Sequence, residues 1–166
     1  GVPFTERGAR TDDHLDAMAA LWRGDPTFDG RFTSWSGVEA SPRPIQPGGP
    51  PIHVGGGSPA TFRRAVHKAH GWYGFLTTLD FTAKAVANIQ NLQREFNRPE
   101  GLGEVAVSVS PSEPVDRDLV SRYEDLGVDR MILVRDFRDV SRGPDSERAD
   151  SVLNFIAETP GRLQFS

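Results

Sequence analysis

The stretch of this sequence richest in chemical meaning is His53-Val54-Gly55-Gly56-Gly57-Ser58-Pro59-Ala60. Glycines let backbone N–H groups come close to a ligand, and a helix N-terminus favours negative charge. Ser58 suits an N-cap and Pro59 the first helical position. A phosphate is the natural guest for Gly55, Gly56, Gly57 and Ser58. The same spacing also fits a plain turn between a strand and a helix. It is neither a P-loop, which needs a Lys-Ser/Thr pair, nor a strict dinucleotide fingerprint.

Gly71-Trp72-Tyr73 is the second signal. Aromatic side chains at the end of a strand can wall a flat conjugated ring or a substrate, although core packing is the commoner use of such a pair. Trp72 is therefore a candidate toward a cofactor and Tyr73 toward a substrate. His53 alternates with Ile52 and Val54, so it faces away from them and is a second substrate-side candidate, although a packed or solvent-bonded histidine is the commoner outcome. His67 and His70 fall late in a helix, where a helix-dipole contact accounts for them. His14 lies among acidic residues and is expected to be exposed. No histidine pair has metal-binding spacing. Arg63, Arg64 and Lys68 follow the glycine loop; an arginine there could reach a phosphate, or the three could form a solvated helix face. Asp136, Arg138 and Asp139 follow the last strand, with a polar role or a solvated loop as alternatives. No nucleophile stands beside a base, so no catalytic residue is assigned.

The elements that position these residues alternate. Thr5 to about Arg23 reads as a helix capped by Thr5 or Thr11, with Leu15, Met18, Ala19 and Trp22 on one face. Gly24-Asp25-Pro26 ends it. Asp29-Gly30 reads as a tight hairpin turn before a short strand at Phe32–Trp35. Ser41–Pro51 is an extended Pro/Gly loop. Strands then follow at Pro51–Gly55, Gly71–Leu76, Glu104–Val109 and Arg130–Val134. Helices are expected at Pro59–Ala69, Asp80–Phe96, Asp116–Leu126 and Ser146–Glu158, the last ended by Pro160-Gly161. Such alternation predicts a parallel sheet with right-handed crossovers, either half of a (β/α)8 barrel or a small open sheet. The expected organisation is one domain over 1–166, with a helix and insertion in 1–50 and four βα units in 51–166.

Composition narrows the function classes. The 166 residues are long enough for a real core, and a net charge of −4 with dispersed basic residues argues against a nucleic-acid surface. There is no cysteine, hence no disulfide, thiolate metal site or cysteine nucleophile. No apolar run approaches transmembrane length and no signal peptide is visible, so a cytoplasmic location is expected.

Several stretches together resemble the luciferase-like monooxygenase family, in particular its branch dependent on the deazaflavin coenzyme F420. They are Gly1–Asp12 with Leu21-Trp22, Phe28–Phe32, Pro42–Gln46, Pro51–Gly56 with Gly71-Trp72-Tyr73, and Gly127–Leu133. The resemblance covers nearly the whole chain. It implies an α/β fold, with this chain as the C-terminal half of a (β/α)8 TIM barrel and a hairpin-containing insertion before its first strand. It also implies that Gly55–Ser58 contacts the phosphate of F420, or alternatively FMN, and that the full-length protein is an oxidoreductase acting on a small organic substrate. The first four strands of such a barrel are absent from the sequence, so the chain alone is expected to lack normal activity. The expected partners are a second copy or a separate N-terminal half-barrel; a non-catalytic half-barrel that binds at most a phosphate group is the alternative.

Overall fold

The computed structural model describes residues 2–134 and 145–163. A 3-10 turn at Phe4–Glu6 leads into α1 (Arg7–Arg23), which ends at Gly24 in the left-handed conformation. Neither expected threonine caps α1. Glu6 stands at the N-cap without a side-chain bond, and the Thr11 hydroxyl donates to the Arg7 carbonyl inside the helix. The buried face also differs from the expected one: it holds Asp13, Leu15, Ala17 and Ala20, while Met18 is exposed. The cause is the buried carboxylate. Asp13 accepts from the N–H groups of Arg31 at 2.5 Å and Phe32 at 3.3 Å. That contact shapes the hairpin of β1 (Thr27–Asp29) and β2 (Ser34–Ser36), which pair antiparallel with Phe28 stacked on Trp35. The turn is therefore the wider Gly30–Thr33, with Gly30 N–H donating to Thr33 O, and Phe32 lies outside the strand. A Cβ on Gly30 would sit 2.3 Å from the Asp13 oxygen, so this site takes only glycine.

Four strands form one parallel sheet in the order β3 (His53–Gly55), β4 (Gly71–Thr77), β5 (Ala106–Pro111) and β6 (Arg130–Met131). Between them run α2 (Pro59–Lys68), α3 (Leu79–Glu95) and α4 (Arg117–Asp125), and α5 (Asp145–Leu163) comes last. This is the expected α/β alternation. Two details differ. The final strand is shorter than Arg130–Val134, although Ile132 N–H still donates to Val109 O. The last helix continues through Pro160 to Leu163 instead of stopping there. Pro160 has no N–H for the Ile156 carbonyl and its ring crowds that group, so the helix carries a local break in its hydrogen bonding there.

Contacts divide the chain into two compact units: Gly1–Trp72 with Asn88–Val105, and Tyr73–Ala87 with Ala106–Ser166. In the first, Arg64 pairs with Asp12 and Lys68 with Asp16, tying α2 to α1. Arg98 reaches the C-terminal end of α2. Its guanidinium donates to the carbonyls of Ala65 (2.9 Å), Val66 (2.6 Å) and Ala69 (2.8 Å), and also to Leu102 and Gly103. The last turn of a helix leaves such carbonyls without partners and carries partial negative charge, which a cation satisfies on both counts. Burial lowers the Arg98 pKa from its ordinary value, opposed by the Glu104 charge.

In the second unit Thr78 and Glu113 share the cap of α3. The Thr78 hydroxyl accepts from Phe81 N–H and the Glu113 carboxylate from Leu79 N–H. Asp116 caps α4 by accepting from Leu119 N–H. Tyr123 donates to Thr77 O and to Glu113; burial, then the Glu113 charge, raises its pKa, so it remains a donor at neutral pH. Asp129 binds Val107 at both backbone groups and sets the β5–β6 register Ser108↔Arg130.

Two predictions follow from these anchors. Arg98→Ala strips several partly buried carbonyls of a charged donor and is expected to destabilise the chain by about 2–3 kcal/mol, read as a lower urea midpoint. Arg98→Lys should recover only part of that loss, because an ammonium cannot span the fan of acceptors. Burial pushes the Asp13 carboxyl up, but the N–H groups of Phe32 and Arg31 outweigh it and the net pKa is lowered. The resulting stability is complete above the ordinary aspartate value of 3.8 and is lost as pH falls through the lower native value. Asp13→Asn should flatten that part of an acid-unfolding profile.

Candidate functional site

The glycine loop leaves the C-terminal end of β3 and enters α2. Residues 55–60 are exposed while Val54 beneath them is buried. Gly56 adopts φ +117°, a conformation that L side chains rarely take, and a Cβ there would meet the Thr61 hydroxyl at 3.2 Å. Ser58 is the N-cap, as its position in the sequence predicted: its hydroxyl accepts from Thr61 N–H at 3.2 Å and lies 3.0 Å from the Thr61 hydroxyl. Pro59 occupies the first turn. A helix start carries N–H groups with no intrahelical partner. Pro59 has none and Ser58 takes that of Thr61, which leaves Ala60 together with the loop amides of Gly57 and Ser58. This donor set, with its adjacent helix dipole, fits a phosphate group.

Trp72 stands second in β4, away from the strand's C-terminal end, and has no exposed surface. Its ring packs against Phe62, and its indole N–H donates to the Gly56 carbonyl at 2.8 Å. The indole thus meets the glycine loop from within the protein rather than presenting a ring face to solvent. His53 is half-buried on β3. Tyr73, on β4, bonds through its hydroxyl to the buried Ser110 at 2.8 Å and lies tilted against Phe75. Phe75, Leu76 and Ile132 are exposed.

The basic residues of α2 divide by role. Arg64 is committed to Asp12 and the Gly8 carbonyl. Arg63 is exposed and lines a cleft of about 550 Å³ with Ala60, Asp12, Arg64, His67 and Lys68. His70 lies beyond α2, and a dipole contact does not account for it: its Nδ1 accepts from Ile52 N–H, while its own N–H donates to Ile52 O. His67 meets the edge of Phe96, and His14 is exposed. Asp136, Arg138 and Asp139 lie outside the described residues. Among the described residues no group of three His, Cys, Asp or Glu side chains could hold a metal, and no helix is long and apolar enough to cross a membrane.

Sequence reasoning missed Thr61, Arg98, Ser110 and Glu113. Ser58-x-x-Thr61 has the spacing of a capping pair and was open to that reading. Arg98 bonds to main chain across about thirty residues, and no local pattern announces such a partner.

The model of the family described as luciferase-like monooxygenase matches residues 1–144. The chain belongs to this family. Two uncharacterized proteins of Mycobacterium tuberculosis are similar to it: one is 33% identical over 149 residues, covering 89% of this chain and 49% of the relative. The other is 29% identical over 165 residues, covering 98% and 53%. The chain thus spans about half the length of these relatives. Among solved structures, an F420-dependent secondary alcohol dehydrogenase in complex with an F420-acetone adduct superposes with a TM-score of 0.64 at 12% identity, over 80% of this chain and 58% of that one. The monooxygenase RslO1 of Streptomyces bottropensis gives 0.53 at 19%, over 98% and 44%. At these identities the likeness establishes the fold, part of a TIM barrel.

If the Ser58 cap holds the loop, Ser58→Ala should lower stability by about 1 kcal/mol, and a Thr at this position should restore most of it. Urea unfolding of the three proteins, with the slope unchanged, is the check.

Proposed function

We propose that the chain is the cofactor-phosphate half of an F420-dependent oxidoreductase that moves a hydride to or from a small organic molecule. The observation that carries this reading is the Gly55–Ser58 loop: exposed amides, glycine-only geometry at Gly56 and a capped helix start, at the C-terminal end of a strand in a luciferase-like chain. Gly57, Ser58 and Ala60 hold the phosphate through backbone N–H groups. Tyr73 and His53 face the substrate. The bound deazaflavin would supply the hydride chemistry, and the protein's part is to hold and orient it. The F420-dependent dehydrogenase among the structural neighbours supports the deazaflavin. The monooxygenase neighbour and the family's description support a second reading, FMN as cofactor in an oxygen-activating enzyme.

A further set of βα units, from the remainder of a longer polypeptide, closes the barrel over Phe75, Leu76 and Ile132 and supplies the groups nearest the reacting carbon. On this reading the 166 residues bind cofactor without turning over substrate. Fluorescence titration of the chain with F420 and with FMN is the test. Tighter binding of F420 by about tenfold or more, a difference of about 1.4 kcal/mol, is the expected result. A preference for FMN selects the monooxygenase reading, and binding of neither overturns both.

A further inference from the structure

We infer that Trp72 is a positioning residue whose indole N–H sets the direction in which the Gly57 amide points. The argument is stereochemical. A trans peptide is planar, and its C=O and N–H point to opposite sides. The Gly56 carbonyl and the Gly57 N–H belong to one such plane. Trp72 is wholly buried and holds that carbonyl inward at 2.8 Å. The Gly57 N–H is therefore turned outward, on a loop whose residues are exposed.

Three further features make this orientation a fixed one. The indole cannot swing away, because it is packed against Phe62 in the core. Gly56 holds φ +117°, a backbone conformation that an L side chain would resist. Thr61, bonded to the Ser58 hydroxyl, closes the space beside Gly56. A flipped peptide would leave the indole N–H buried without an acceptor and would present a carbonyl to the anion instead of a donor. The Ala60 amide, by contrast, is directed by α2 itself and does not depend on the indole.

The inference rests on the phosphate reading of the loop, and one experiment separates the two. The ¹⁵N-labelled chain is titrated with inorganic phosphate, and the amide resonances of Gly57, Ser58 and Ala60 are followed. In the wild type all three should move together. In Trp72→Phe, which keeps the packing and removes the N–H, Ala60 should still respond while Gly57 loses its response, and phosphate affinity should fall about three- to tenfold, the range for one lost hydrogen bond. The indole N–H resonance of Trp72 in the wild type, which should be protected from solvent exchange by its bond to the Gly56 carbonyl and should shift with the Gly57 amide on phosphate addition, keeps the test intact if Trp72→Phe does not fold. A Gly57 shift unchanged in Trp72→Phe, or a wild-type indole N–H that exchanges freely and does not respond to phosphate, overturns the role of Trp72 while leaving the phosphate site in place. Absence of any amide shift in the wild type overturns the phosphate site and the inference with it.

Discussion

Everything proposed for the loop depends on α2 being held still, and the Arg98 guanidinium is the group that holds its far end. A ten-residue helix is too short to be stable on its own in water, so its rigidity comes from tertiary contacts. Arg98 supplies the carbonyls of the last turn with donors and places a positive charge where the helix dipole is negative. At the other end Ser58 takes the Thr61 amide, and Arg64 and Lys68 tie the flank to α1. With both ends and one side fixed, the amides at the N-terminus would meet the proposed anion without first having to be ordered. Preorganisation of this kind is where a small polar site gains its affinity.

The order of elements was legible because each rests on local chemistry. The strand–glycine–helix passage at Gly55–Ala60 carries its own cap, its own proline and its own breakers, and it is found where the pattern places it. Asp116 and Gly127 bound α4 for the same reason. The misreadings share a different cause. Asp13 was passed over because a buried carboxylate on a helix makes sense only once the turn eighteen residues away is known. Pro160 looked like a stop, yet the helix runs on past it to Leu163. His70 read as part of a helix end, and its real partner is the backbone of Ile52, just ahead of β3.

The candidate site divides in the same way. Ser58 and the glycine at 56 could be read directly, since capping and left-handed geometry are properties of a few adjacent residues. Trp72 could be singled out, though not understood: its type suggested an exposed ring face, and the structure shows a buried donor. Nothing in the spacing of Gly56 and Trp72 indicates a hydrogen bond between them. The residues that would act on a substrate belong to a barrel interior that four strands only partly define.

Several of the contacts that hold the loop and α2 end on main chain, while Arg64 and Lys68 bond to the side chains of Asp12 and Asp16. Arg98 binds carbonyls, Trp72 binds a carbonyl, and Ser58 binds an amide. Main-chain groups are the same whatever side chain a position carries. The exposed Arg63 is therefore free to diverge without moving the loop, whereas Arg64 and Lys68 are held to α1 by their side chains. A lineage could change that position many times over and still present the same three amides at the start of α2.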